Sequence, residues 1–425
     1  MSDLSLESIE DLELFLNSIP KFSTFGISAA NFSLESMQSL IAQFGNPHQK
    51  FSSIHIAGTN GKGTVCQMLA SVFQEAGYKT GLYTSPHLIK VNERFKINSE
   101  DISDDILLEL FNRYSNVIQE SKPTFFELTT AIAFRYFADQ NVDIAIIETG
   151  LGGRLDATNI IDPEASIITS VGMDHMDVLG DSISKIAREK AGIIKPGKPV
   201  IIGNLSDEAS FEVAQNAELK KSSLFKAMDL SPQYIEGKIR LTAENRELIV
   251  DATSRKMTDA INAGIVFQTV KAVKKRFKIE TDIIKKGIER VDEKYPHHAH
   301  FEKLLSDRNW YFDGAHNVEA IQVLIDELSN RGVKSDWLVV LSFMKDKLSE
   351  DVVSLWKEFP NIFVYEQKGE RAATAKSMLA SFPHAEDLPA DNSAIIKQLE
   401  KYKSELVIFS GSFYFYETVR QWTGA

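Results

Sequence analysis

The chain reads as an α/β protein of two domains: a P-loop-type parallel-sheet domain followed by a smaller, Rossmann-like α/β domain. Three observations predict this. Its 425 residues are more than one ordinary core accommodates. Along the first two-thirds, short β-branched runs alternate with helical patterns, which calls for right-handed βαβ units and a parallel sheet. Several runs are almost continuously apolar, as in "VDIAIIETG", the pattern of a strand buried on both faces.

In chain order, "SSIHIAG" is the first strand, and a helix follows in which Val65, Met68, Leu69, Val72 and Phe73 fall on one face before a stop at Gly77. "TGLYTS" is the next strand, "FELTTAIAFRYFADQ" a helix, and "VDIAIIETG" and "EASIITSVG" two further strands. "KKSSLF" is short and polar and reads as a loop. Near residue 295 the texture changes at "DEKYPHHAHFEK", and the boundary falls there, giving domains 1–295 and 296–425. The second domain opens a new series with "NWYFDG", "VEAIQVLIDELSNRG", "DWLVVLSF", "VVSLWKEF", "NIFVYEQ" and "ELVIFSGSFYFYETVRQW".

Composition narrows the function. Hydrophobic residues at 43% and charged residues at 25% describe a soluble globular protein. No run approaches the ~18 apolar residues that span a bilayer, so no membrane partner is expected. The opening "MSDLSLESIEDLELFL" lacks the basic and apolar regions of a signal peptide. One cysteine, Cys66, excludes an internal disulfide framework and fits a cytoplasmic location. A net charge of −12 argues against nucleic acid as a partner but leaves small anionic ligands open, because a local cluster of lysines and backbone N–H groups outweighs a distant field.

Strand ends carry the chemistry of a parallel sheet. "GTNGKGT" (Gly58, Thr59, Asn60, Gly61, Lys62, Gly63, Thr64) departs from G-x-x-x-x-G-K-[ST], since Gly63 separates the lysine from the hydroxyl residue. It nonetheless offers glycine N–H groups, a helix N-terminus and a lysine, all suited to phosphate. Glu148 ends "IAII", and "GMDHMD" places Asp174 and His175 at the same edge. Glu148 alone would read as a solvated strand end; beside a phosphate loop it suggests a divalent metal. In "DSISKIAREKAGI", Lys190 continues the apolar face of Ile183, Ile186 and Ala187. An inward lysine pairs, snorkels or loses its charge. Pairing with a carboxylate is the plainer reading, and a neutral amine that takes up CO2 as a carbamate is the other. "TGLGGRLDATN" fails the dinucleotide pattern at Leu155, which disfavours an oxidoreductase. Arg154, Asp156, Thr158 and Asn159 instead suggest a polar loop facing a substrate. In "WYFDGAHN", Asp313, His316 and Asn317 converge, but no nucleophile motif accompanies them, and His316 taken singly reads as a turn-stabilising residue.

Together "GTNGKGT", "YTSPHLIKVNERFKIN", "FFELTTAIAF", "ETGLGGRLDATN", "ITSVGMDHMDVLGDSISKIAREKAGIIKPG" and "DGAHN" resemble folylpolyglutamate synthase/dihydrofolate synthase, a family of the Mur ligases. The match runs from about residue 22 to "SGSFYFYETVR". The resemblance implies Mur ligase architecture, with an ATPase domain and a C-terminal domain on the nucleotide and glutamate side. It implies a monomer that uses ATP and two Mg2+ ions to join L-glutamate to dihydropteroate or a reduced folate through an acyl phosphate. By that resemblance Gly58 to Thr64 hold the ATP phosphates, with Lys62 on the transferring group. Ser85 and Glu148 bind the first metal; His175, Glu148 and a carbamylated Lys190 bind the second. Asn262 contacts adenine, and Asp313 reaches the nucleotide from the second domain, with His316 in the same closure. Phe126 resembles the aromatic wall of the pterin pocket (an ordinary core aromatic is the alternative), and Asp156 and Ala157 match its lining loop.

Two departures stand out. Where the family carries P-G-R before a glutamate, this chain has His298, Ala299 and His300 before Glu302. A histidine lacks the permanent forked cation of arginine. "HHAH" then reads either as a solvated linker, with Lys303 or Arg308 standing in, or as a three-histidine metal site, which no cysteine or acidic ligand supports at the usual spacing. The family's D-K-D survives only as Asp346 and Lys347 before Leu348. A Mur-type glutamate ligase with a non-folate acceptor, or a catalytically impaired nucleotide-binding homologue, are the alternatives these departures leave.

Overall fold

The computed structural model describes residues 6–19, 33–243, 246–252, 257–296, 298–329, 332–389, 391–402 and 404–424. The resemblance noted at residue 22 therefore begins outside the described residues. Contacts divide the chain into two compact units, the first running to Pro296 and the second beginning beyond it.

The first unit is built on an eight-stranded sheet of β1 (Ser52–Ala57), β2 (Thr80–Tyr83), β3 (Phe95–Ile97), β4 (Glu100–Asp101), β5 (Ile144–Glu148), β6 (Ala165–Ile168), β7 (Val200–Ile202) and β8 (Leu224–Lys226). The order is β4-β3-β2-β5-β1-β6-β7-β8. From β2 to β8 every pairing is parallel; β3 and β4 pair antiparallel at one edge. β1 lies in register between β5 and β6, with Ile56 opposite Glu148 and Ile167. The continuous apolar runs are explained by this placement, since β5 and β6 are buried along their whole length.

Alternate residues of the central strands feed two cores. Ile54 and Ile56 pack with the Lys62–Glu75, Met257–Val273 and Thr281–Glu289 helices. Ala145 and Ile147 pack with the Leu34–Gln43, Asp104–Arg113 and Phe125–Asp139 helices. The last of these begins with a capping box, in which Thr124 and Glu127 satisfy each other's backbone N–H groups. The Lys62–Glu75 and Thr281–Glu289 helices meet where Gly287 has no side chain: a Cβ there would come 2.5 Å from Val72 Cα. Ser71 Oγ donates to the Gly287 carbonyl at 2.6 Å across the same contact.

Two features differ from the sequence reading. Leu224 and Phe225 of "KKSSLF" form the edge strand β8 instead of a loop, because β7 offers them a free parallel ladder. A small antiparallel sheet of β9 (Gln233–Ile235), β10 (Lys238–Ala243) and β11 (Arg246–Asp251) is an element the reading did not contain. It covers the first core with Ile239, Leu241 and Val250.

The second unit holds a six-stranded sheet of β12 (Glu302–Lys303), β13 (Trp310–Asp313), β14 (Trp337–Leu341), β15 (Ile362–Val364), β16 (Glu386–Asp387) and β17 (Leu406–Ser410). Its order is β12-β13-β17-β14-β15-β16, parallel apart from the short β12. The Val318–Ser329 and Glu350–Trp356 helices close a core of its own around Trp337, Val339, Leu341 and Trp356.

Candidate active site

The carboxyl ends of β1, β5 and β6 gather most of the candidate residues of the first unit. Gly58 follows β1, and Gly61 caps the Lys62–Glu75 helix in the left-handed region, with φ 83°. That conformation leaves backbone N–H groups at a helix N-terminus, the arrangement that receives an anion. Gly58 has no alternative, because a Cβ would sit 1.9 Å from Thr169 Oγ1. The loop is tied to the end of β6: Thr59 N–H donates to Ser170 O at 3.0 Å, Asn60 N–H to Ser170 Oγ at 2.8 Å, and Thr169 Oγ1 to Asn60 O at 2.7 Å. Gly63 and Thr64 lie in the first turn of the helix. Asn262, on the Met257–Val273 helix, lies beside Gly61, where a Cβ would come 3.1 Å from its Oδ1.

Two lysines converge on one carbonyl. Lys62 Nζ donates to Gly58 O at 3.1 Å and Lys190 Nζ donates to the same oxygen at 2.9 Å. Lys190 is only 3% exposed, and burial, with Lys62 close by, lowers its pKa from 10.5 to about 7. The structure thus gives the amine a carbonyl acceptor, where a carboxylate partner was the plainer expectation.

Glu148, 3% exposed, accepts Ser85 N–H at 3.0 Å. Burial lifts its pKa from 4.5 to about 7, against the opposing pull of Lys62. A carboxyl held this way is short of positive charge, and it stands beside a hydroxyl residue and the phosphate loop. That donor set fits a hard divalent cation whose remaining ligands come from phosphate and water. Among the described residues no three His, Cys, Asp or Glu side chains assemble into a metal site by themselves. His175 caps the short Met176–Leu179 helix with φ 50°, its Nε2 3.8 Å from Asp174 Oδ2.

In the loop after β5 the side chains of Asp156, Thr158 and Asn159 turn inward, contrary to the expectation that they face a substrate, while Arg154 stays exposed. Asp156, 5% exposed, accepts Gly150 N–H and Leu151 N–H, both at 2.8 Å, on one oxygen, and Thr158 N–H and the Thr158 hydroxyl on the other. Arg154 pairs with Glu189 at 2.8 Å, and Asn159 Nδ2 donates to Arg154 O. The reason is local: a turn with three glycines must supply acceptors for its own N–H groups. Arg154 and the backbone at Gly150 are what face outward. Gly150 lies against the Phe126 ring, where a Cβ would be 2.5 Å from a ring carbon, and Tyr83 stands 6.0 Å beyond, between ring centroids. Ala157 opens the Ala157–Ile160 turn of the same loop.

The loop is also fused to the helix of Lys190. A Cβ on Gly153 would meet Glu189 O at 2.8 Å, and one on Gly192 would meet Arg154 Cβ at 2.3 Å. Gly153 and Gly192 are the residues that admit this contact. Arg94 was not among the expected residues: 6% exposed, it donates to His87 Nδ1 at 2.7 Å and lies over the Phe125 ring. Its signal was present in "NERFKIN", a cation directly before the strand Phe95–Ile97.

In the second unit the candidate residues form their own group. Asp313 ends β13 and accepts Phe301 N–H and Ala315 N–H, both at 2.9 Å. The rings of His300 and His316 lie 5.4 and 5.6 Å from that of Phe413. His298 is exposed, as a solvated linker residue would be, while its Nδ1 meets Glu302 at 3.0 Å and Tyr416 donates to the same carboxylate oxygen. Arg308 precedes β13, at the end opposite Asp313, and pairs with Glu400, so it does not stand in for the family arginine. Lys303 turns to Ser306 O. Asp346 is held by Arg371 at 2.7 Å.

Comparison with known proteins agrees with this geometry. Residues 56–262 match the Mur ligase middle domain. The chain is 32% identical to the dihydrofolate synthase/folylpolyglutamate synthase of Bacillus subtilis over 91% of its length and 93% of the relative's. It is 30% identical to the folylpolyglutamate synthase of Lacticaseibacillus casei over 90% and 92%. The solved structure of Escherichia coli FolC in complex with DHPP and ADP superposes with a TM-score of 0.84 at 26% identity, covering 98% of each chain. The chain belongs to the folylpolyglutamate synthase/dihydrofolate synthase family of the Mur ligase superfamily, and is an ATP-dependent ligase that joins glutamate to a carboxyl acceptor.

Proposed function

We propose that this chain adds L-glutamate to dihydropteroate and to the γ-carboxylate of reduced folates. The observation that carries the reading is the convergence of Lys62, Lys190 and Glu148 at the phosphate loop, near the Gly150 backbone that packs on the Phe126 ring. The acceptor carboxylate attacks the γ-phosphate of ATP, releasing ADP and leaving an acyl phosphate. The amino group of glutamate then attacks the acyl carbon; phosphate departs and the amine loses a proton. Every early partner is anionic, so positioning and charge neutralisation provide most of the acceleration.

In this reading Gly58 to Thr64 bind the phosphates, Lys62 stabilises the transferring group, and Asn262 lies against the adenine side. Ser85 and Glu148 would hold one Mg2+, and Glu148, His175 and Lys190 a second. Bound there, the ions neutralise phosphate charge and polarise the transferring phosphoryl group. Lys190 serves this set as a carbamate, formed when its neutral amine adds to CO2 and releases a proton; the lowered pKa supports the free amine. Phe126, Ala157 and the loop held by Asp156 form the acceptor pocket. Residues 1–295 carry the nucleotide, metal and acceptor chemistry, and 296–425 supply Asp313, His300 and His316 as nucleotide- and glutamate-side groups. The same reading makes the protein a cytoplasmic monomer. No helix among the described residues is long and apolar enough to cross a membrane, and the single cysteine, Cys66, is buried.

The test is glutamate-dependent ADP release with ATP and Mg2+, using dihydropteroate and tetrahydrofolate in turn. Turnover with either, rising with glutamate, is expected. ATP binding without turnover on both acceptors would overturn the folate reading.

A further inference from the structure

His55 is fully buried on the central strand β1, in register with Ile147 of β5 and Ser166 of β6. Its neighbours Ile54 and Ile56 are apolar, and an apolar residue would fill the site without polar cost. Instead the imidazole keeps Nδ1 without a hydrogen-bond partner among the described residues. Retaining a buried, half-satisfied ring destabilises the fold unless its other nitrogen is used.

Nε2 lies 2.8 Å from Thr158 Oγ1. The threonine has one hydroxyl proton, and it goes to Asp156 Oδ1. The imidazole must therefore donate through Nε2–H, which fixes its tautomer with Nδ1 bare. Burial and the nearby Lys195 keep the ring neutral, lowering its pKa to about 3, so this arrangement holds across the working pH range. The relay continues: the other oxygen of Asp156 receives Gly150 N–H and Leu151 N–H. Gly150 is the backbone segment pressed on the Phe126 ring. From outside, Lys195 Nζ donates to Asn159 O at 2.9 Å and holds the same turn.

We infer that His55 is a positioning residue for the acceptor pocket, setting the distance between the Gly150 backbone and the Phe126 ring through Thr158 and Asp156. This rests on the acceptor reading above, and on the relay for its mechanism. It predicts an effect on acceptor binding that ATP does not share.

The experiment compares full-length wild type with His55→Leu, His55→Gln and Thr158→Val. His55→Leu and Thr158→Val should each raise the KM for dihydropteroate or tetrahydrofolate by about tenfold, the effect of one lost buried hydrogen bond, with the ATP KM unchanged. His55→Gln, which retains a side-chain N–H, should recover most of the loss. The double variant His55→Leu/Thr158→Val should be no worse than either single change, because both cut one relay. Equal rises in both KM values, additive losses, or an unchanged acceptor KM would overturn the inference. If His55→Leu does not fold, Thr158→Val reads the same relay. A wild type inert with both acceptors would sink the acceptor reading instead. Amide exchange then decides the relay alone: faster exchange at Gly150 and Leu151 in Thr158→Val supports it, and unchanged exchange overturns it.

Discussion

At the scale of single residues, the site is a set of ionisable groups held away from water with too little opposite charge. Glu148 shows the consequence for pH. Burial raises its pKa from 4.5 to about 7, so between those values the folded protein holds a proton that the unfolded chain has lost. Its contribution is fully present below pH 4.5 and is lost as pH rises through 7. Denaturant unfolding of the nucleotide- and metal-free protein should therefore show stability falling across that window, and Glu148→Gln should flatten the fall. An unchanged slope in the variant would take this role away from Glu148. Glu148 and Lys190 were legible in the sequence because a charged residue interrupted an apolar pattern. The Asp156 contacts were not, since a polar residue in a glycine-rich turn looks the same whether it faces a ligand or its own backbone. His300 was legible as a departure from the family pattern, and the structure places it beside Phe413 together with His316.

Among elements, close approach decides more than propensity. Gly287 sits inside the Thr281–Glu289 helix, where alanine would ordinarily gain about 1 kcal/mol in helix propensity. Here the added Cβ would lie 2.5 Å from the Val72 backbone, so the two helices would have to part. Overpacking of this kind costs roughly 1–3 kcal/mol and outweighs the gain. Gly287→Ala is expected to lower the midpoint of thermal unfolding while leaving the ATP KM unchanged; a stabilised variant would contradict the packing. The parallel strands were readable because burial on both faces writes a continuous apolar run. β9 to β11 were not, because only alternate residues are apolar and Lys238, Arg240 and Glu247 break the run. The alternation I-R-L-T was the available signal.

For the whole molecule, each unit has its own sheet and its own core. A fragment beginning after Pro296 should fold by itself, giving a cooperative thermal transition by circular dichroism; a fragment without one would show that the second core depends on the first unit. The alternation of strands and helices made the two large, mainly parallel sheets legible, and the change in texture near residue 295 marked the second series. What the sequence could not display was the joint between the loop at Gly153 and the helix at Gly192, since nothing local distinguishes a glycine that turns a chain from one that admits a neighbour. That joint has a mechanical consequence. The loop after β5 and the helix of Lys190 are locked against each other, so a displacement of one is transmitted to the other, and a side chain added at Gly153 or Gly192 would shift both together.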